Sequence, residues 1–486
     1  MSTNISSNEK EDATTSAKDS SKGKDTDLAF ASVAELSGAL AAGKTSSVEL
    51  TTLFLSRLRR IGSSLNAVAT LMEESALAAA KRADAERKSG IPRQPLHGIP
   101  YAAKDLLDTK GVATTWGSLQ FKDRIPSADA TAIARLAEAG AILVGKLAMV
   151  ELAGGAGYRF ASASAQGPGR NPWNPNHWTG GSSSGSGAAV GAGLVPFALG
   201  SETWGSIMCP SSYCGISGLR PTYGRVSRHG AMPLCFTLDK IGPLARTAED
   251  LETVLDAIAG EDPADPSTLR GAWKSSPAPE RLRIGVFPDK TWDGYQKEAV
   301  TLGAAALKTL EANGHRFVPV TLPDFPFDAV LFTILASEAA ASFEPLISSG
   351  RHVDLIDPLS KIGLLPGTTI SAADYVNALR RRSLAIRAMA ELFTKVDVLA
   401  GPSFPSSASP IEANLETWYA LPTDPLGAPG NLCGLPAASV PCGFDASGLP
   451  LGVTFMAAAG NESLCLAAAK AYQRETDWHQ RRPRAA

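Results

Sequence analysis

Apolar residues at helical spacing begin at Leu28. In "LAFASVAELSGALAAGKTSSVELTTLFLSRLRRIG", Leu36 and Leu40, then Leu50, Phe54 and Leu58, recur every four residues and predict two helices joined at Gly43. Ser32 with Glu35 and Ser46 with Glu49 have capping-box spacing ahead of them. "EESALAAAKRADAERK" predicts a third helix. From Asp129, read as an N-cap, a helix with Ile133, Leu136 and Ala137 on one face runs to Gly140, and "AILVG" follows as a buried strand.

Short apolar runs recur at "LVPFALG", "LRIGVF", "DVLAGP" and "LGVTF", separated by helical stretches such as "AADYVNALRRRSLAIRAMAELF". This alternation predicts an α/β fold with a mixed, mostly parallel twisted sheet sandwiched between helices. Residues 1–27 are almost free of apolar side chains and read as a disordered tail. No linker divides residues 28–486, which read as a single domain.

Composition narrows the function. The 46 basic and 48 acidic side chains nearly cancel, so no basic footprint for nucleic acid or an anionic membrane is expected. No run is apolar enough to span a bilayer, and no apolar core of a secretory signal opens the chain. The 6 cysteines contain no C-x-x-C pair, and the 6 histidines show no ligand spacing. Buried reduced thiols, no metal, no cofactor and a cytoplasmic protein are expected.

The stretch "WTGGSSSGSGAAVGAGLVPFALGSETWGSIM" (178–208) carries the chemistry. A Gly/Ser cluster is ordinarily a loop, but this one runs into a small-residue helix and a strand. Gly181, Ser183 and Gly185 satisfy the G-x-S-x-G pattern of α/β-hydrolases, which would make Ser183 a nucleophile. No acid and histidine follow in triad order. A phosphate cradle lacks its Gly-Lys-Ser/Thr.

"GGSSSGSGAAVGAGLVPFALGSETWGSIMCPSSYCGISGLRPTYGRVS" resembles the signature sequence of the amidase signature family of serine hydrolases. "PLHGIPYAAKDLLDTKGVATTWGS" and "LAEAGAILVGKLAMVELAGG" upstream are similar to that family's earlier blocks, as are "DKIGPLARTAED", "NLCGLPAASVPCGF" and "GLPLGVTF" downstream. The blocks span residues 32–480, with the signature core at about 96–270.

The resemblance implies a Ser–cis-Ser–Lys triad of Ser206 as nucleophile, Ser182 as proton bridge and Lys104 as base. The cis bond is expected between Gly181 and Ser182. The backbone N–H groups of Thr203, Trp204, Gly205 and Ser206 are expected to form the oxyanion hole. The chemistry is coherent: lysine is a base only when neutral, and lowering its pKa from ~10.4 to about 7 costs roughly 4.6 kcal/mol, which burial supplies best. Lys104 sits among "GIPYAA" and two leucines, on a buried strand or its end.

Three residues depart from the family's usual "G-T-D-T-G-G-S-I-R": Glu202, Trp204 and Met208. Trp204 either packs in the core or walls the substrate pocket. Met208 in place of arginine tells against a substrate held by its carboxylate and favours hydrophobic amides, anilides or aryl carbamates. Arg382 and Asp424 match positions that border the site in some members.

A free-standing amidohydrolase is expected, acting on small-molecule amides or carbamates as a monomer or homodimer. The alternative implied by the resemblance is the glutamine-hydrolysing component of a tRNA-dependent amidotransferase. A non-catalytic module on this fold would be expected to have lost triad members, and all three are present.

Overall fold

Both capping boxes form. In the computed structural model, which describes residues 27–90, 94–418 and 424–484, Ser32 and Ser46 accept from the N–H three residues on, and Glu35 and Glu49 accept from the cap N–H groups. The helices they start, α1 (Val33–Ala41) and α2 (Ser47–Arg57), bury Leu36, Leu40, Leu50 and Phe54. The third expected helix is α3 (Glu73–Lys88), which turns Ala76, Ala80 and Ala83 inward. The expected tail lies outside the described residues except for Asp27, whose carbonyl accepts from the Phe30 N–H.

The next helix, α4 (Thr131–Glu138), starts differently from expectation. Ala130 occupies the cap and no side chain bonds there. Asp129 instead accepts from the Lys110 N–H at 2.7 Å; a short carboxylate serves whichever nearby N–H the chain presents. Gly140 ends the segment in the left-handed region, at φ +78°.

The strands are β1 (Val68–Leu71), β2 (Pro100–Lys104), β3 (Ile142–Leu147), β4 (Phe197–Glu202), β5 (Ser217–Arg220) and β6 (Lys240–Ala245). β7 (Arg283–Val286), β8 (Arg316–Pro319), β9 (Val398–Pro402), β10 (Ala437–Phe444) and β11 (Pro450–Ala457) complete them. They form one 11-stranded sheet in the order β1-β3-β2-β4-β6-β5-β10-β11-β9-β7-β8. The sheet is mixed, as expected, although parallel pairing is confined to its two wings, β3-β2-β4 and β9-β7-β8. The other six pairs are antiparallel, so the "mostly parallel" part of the expectation is corrected. Strand direction follows from the connections, which an apolar run does not encode.

Helices cover both faces. α5 (Ser184–Gly191) and α6 (Met208–Cys214) pack on each other and on β2, β4, β10 and β11, while α7 (Ala248–Ile258) packs on β5 and β6. Two longer helices, α8 (Phe327–Ser342) and α9 (Ala372–Leu392), pair beside the sheet, and α10 (Glu462–Arg474) packs on α7, β10 and β11. The small residues of α5 permit its position: a Cβ on Gly187 would stand 2.8 Å from that of Pro210 in α6.

Candidate active site

β2 and β4 are parallel neighbours, so their C-terminal ends emerge at one edge of the sheet. β2 ends in Lys104. β4 ends in Glu202, after which the chain turns through residues 203–207 into α6. The Gly181–Ser182 peptide, cis as expected, lies against both ends. Lys104 Nζ is 2.8 Å from Ser182 Oγ and 3.0 Å from Ser201 Oγ. The Ser183 N–H donates to the Ser206 carbonyl, and Ser183 Oγ bonds both the N–H and the carbonyl of Ser201. Ser183 therefore braces the two loops with its side chain pinned to the backbone of β4.

Lys104 has no exposed surface. Burial lowers its pKa to about 7, against the pull of Asp239 and Glu202. The amine's side-chain partners are hydroxyls, which take or give a proton without fixing the charge. Glu202 is also buried, and burial alone would raise it. Arg220, Lys240 and the N–H groups of Met208 and Ile207 outweigh that and hold it below the usual carboxylate range. Its Oε2 accepts from Ile207 and Met208 at 2.8 and 3.0 Å, while Oε1 takes Arg220 and Asn431. The glutamate thus pins the turn after Ser206 to the sheet.

Within the turn, Gly205 takes the left-handed conformation at φ +82°, and Trp204 does not. The conformation that needs glycine falls one residue after the tryptophan. Among the described residues, the backbone N–H groups of Trp204, Gly205 and Ser206 have no acceptor in the protein. Ser206 lies on the wall of a cavity of about 600 Å³. Trp204, Tyr158, Phe332 and Phe404 supply its aromatic wall, and Trp204 meets Phe332 edge to face at 4.9 Å. Asp328, Glu416 and Asp424 are the carboxylates facing it, and no lysine or arginine among the described residues lines it. Glu416 is paired with Arg159 at 2.5 Å.

Two expected substrate contacts are corrected. Met208 does not line the cavity; as the first residue of α6 it points into the main hydrophobic core and is 4% exposed. Arg382 does not line it either. Its Nε donates to the Leu432 carbonyl at 2.7 Å and its guanidinium lies over Tyr223, so it caps a short helix end. Trp204 and Asp424 do face the cavity. Ser201 and Asp239 were missed. Ser201 has a local signal, since it shares the alternation of β4 with Leu199, but Asp239 approaches Thr203 from 36 residues away. Among the described residues no cluster of histidine, cysteine, aspartate or glutamate suits a metal, and no helix is long and apolar enough to cross a membrane.

The family model described as Amidase matches residues 49–466. Among curated relatives, a Glutamyl-tRNA(Gln) amidotransferase subunit from Roseiflexus sp. (strain RS-1) is 37% identical over 92% of this chain and 96% of its own. That name, with its tRNA and its place in an assembly, stands against an expectation limited to small molecules. Among solved structures, a chain from a vestigial complex bearing on the origins of an s-triazine catabolic enzyme superposes with a TM-score of 0.82 at 34% identity, covering 91% of this chain and 98% of its own. The native peptide amidase from Stenotrophomonas maltophilia gives 0.79 at 31% identity, covering 93% and 98%. With the signature blocks in order along one such sheet, the chain belongs to the amidase signature family.

Proposed function

We propose that this protein is an amidohydrolase for neutral or cationic amides with an aromatic or bulky apolar part. Neutral Lys104 takes the proton of Ser182 as Ser182 takes that of Ser206, and Ser206 Oγ attacks the carbonyl carbon. The carbonyl oxygen, now an anion, is held by the N–H groups of residues 203–206. The proton returns through Ser182 to the leaving nitrogen, the C–N bond breaks, and water opens the acyl-enzyme by the same relay. A carbamate would follow the same path, because its carbonyl also carries nitrogen.

The cavity wall carries the choice of substrate: Trp204, Phe332 and Phe404 with Asp328 and Asp424, and no lysine or arginine among the described residues that line it. Such a wall stacks flat groups and favours positive charge, whereas free glutamine brings, beside its ammonium, a carboxylate for which the wall offers no lysine or arginine among the described residues. A second reading, glutamine hydrolysis within an amidotransferase, is favoured by the name shared by relatives at 36–37% identity.

Hydrolysis of L-phenylalaninamide, p-nitroacetanilide, phenyl carbamate and L-glutamine by the purified chain, with Ser206→Ala as control, separates the two. Turnover of the aromatic substrates, absent in Ser206→Ala, is the expected result. Turnover of glutamine alone would overturn the first reading in favour of the second.

A further inference from the structure

A smaller cavity, of about 220 Å³, shares Ala153, Thr203 and Leu234 with the lining of the first. Ser201, Thr203, Asp239, Lys240 and Arg228 line it, so it is polar enough to hold water. Asp239 faces this cavity and not the one that holds Ser206. Its carboxylate is spanned on both oxygens: Oδ1 accepts from the Thr203 hydroxyl, and Oδ2 accepts from the N–H groups of Leu234 and Cys235 at 2.8 and 2.9 Å. Thr203 opens the turn that carries Ser206, and Leu234 lines both cavities.

The geometry points to Asp239 as a positioning residue for this reaction: it ties Thr203, and with it the donor loop, to the backbone at Leu234 and Cys235. The inference rests on the reading of Ser206 as nucleophile and Lys104 as base. Glu202 at the end of β4 also acts on Lys104, and is itself paired with Arg220 of β5 and opposite Lys240 at the start of β6. Lys146 of β3 is taken up by Asp105. Glu202 spends both oxygens on Arg220, Asn431 and the Ile207 and Met208 N–H groups.

The test is inactivation by phenylmethylsulfonyl fluoride, followed from acid to alkaline pH. Ser206 Oγ bonds to sulfur, fluoride leaves, and the serine proton passes to Lys104, so the rate reports nucleophile activation without a substrate. In Asp239→Asn the rate falls about tenfold across the pH range. Thr203→Val lowers the rate to a similar extent, and Thr203→Ser, which restores the hydroxyl, recovers most of the loss. An Asp239→Asn protein that reacts as fast as the native one overturns the proposal, as does a Thr203→Val protein that does so, or a Thr203→Ser protein that recovers nothing. The Thr203 pair decides the matter should Asp239→Asn fail to fold. Labelling that persists in Ser206→Ala would instead remove the reading of the nucleophile itself.

Discussion

Lys104 and Lys146 stand on adjacent parallel strands, both without exposed surface, yet they have opposite surroundings. In the register Lys146 lies beside Ala103 and Lys104 beside Leu147, so the two side chains leave opposite faces of the sheet. The dipeptide Lys104–Asp105 straddles that division. Lys104 meets the hydroxyls of Ser182 and Ser201, whereas Asp105 lies on the other face, 3.3 Å from Lys146. Lys146 is further held by the Leu107 carbonyl and the Thr114 hydroxyl, each at 2.7 Å. Burial lowers both lysines against the pull of carboxylates, Asp239 and Glu202 for Lys104 and Asp105 for Lys146, and Asp105 is in direct contact with its lysine. Burial alone therefore does not make a base. What separates them is the carboxylate in contact: Lys146 is tied to Asp105, whereas the side chains that Lys104 touches are the hydroxyls of Ser182 and Ser201, with which it can exchange a proton.

Replacing each lysine by methionine breaks this comparison most directly. Lys104→Met removes the base and keeps the volume, so kcat falls by about a thousandfold, with no loss of stability in urea unfolding. Lys146→Met leaves the Asp105 carboxylate without its cation and destabilises the fold by about 3 kcal/mol, while kcat of the folded enzyme stays within about threefold. Equal losses of activity from the two substitutions would refute the division of roles.

The pH profile sharpens the same contrast. Only neutral Lys104 is a base, and its pKa lies at about 7. As pH falls below that value the amine protonates, so kcat/KM drops about tenfold per pH unit and levels off above it. A profile flat from acid to alkaline pH would remove Lys104 from the chemistry.

How much of this was legible depends on whether a signal is local. Capping boxes at Ser32 and Ser46 and the apolar run ending in Lys104 are each written within a few residues, and they fall where expected; the cis bond that the resemblance implies before Ser182 is present too. Strand direction was not legible, because β5 and β10 meet antiparallel through contacts more than 200 residues apart. The placements of Met208 and Arg382 failed for the same reason: the turn pinned by Glu202 decides which way α6 faces and so where Met208 points, and Arg382 on α9 is drawn to the Leu432 carbonyl, 50 residues further along the chain. Asp129 misled because an N-cap and a loop brace use the same short carboxylate.

On the cavity side of the sheet, Trp204 provides a smaller effect than the base. Trp204→Ala removes the edge-to-face contact with Phe332 and is expected to lower kcat/KM for an anilide about tenfold, with little change for acetamide. An equal loss for both substrates would make Trp204 a support for the loop and not a wall of the pocket.

The smallest effect belongs to Asp424, the acidic counterpart of Lys104 in this comparison. Whereas Asp105 is matched by Lys146, Asp424 faces the cavity, accepts from the Leu426 N–H at 2.9 Å, and is pushed up to about 6 by burial. It is ionised above that pH and neutral below it, so any preference it confers for a cationic substrate is present above about pH 6 and fades as pH falls through it. One partly hydrated charge pair contributes about 1 kcal/mol, or roughly fivefold. The ratio of KM for a neutral amide to KM for L-phenylalaninamide is therefore expected to fall about fivefold on acidification in the native enzyme and to stay flat in Asp424→Asn. A ratio that ignores both pH and the substitution would show that the carboxylate serves the chain turn at Leu426 alone, as Asp105 serves Lys146.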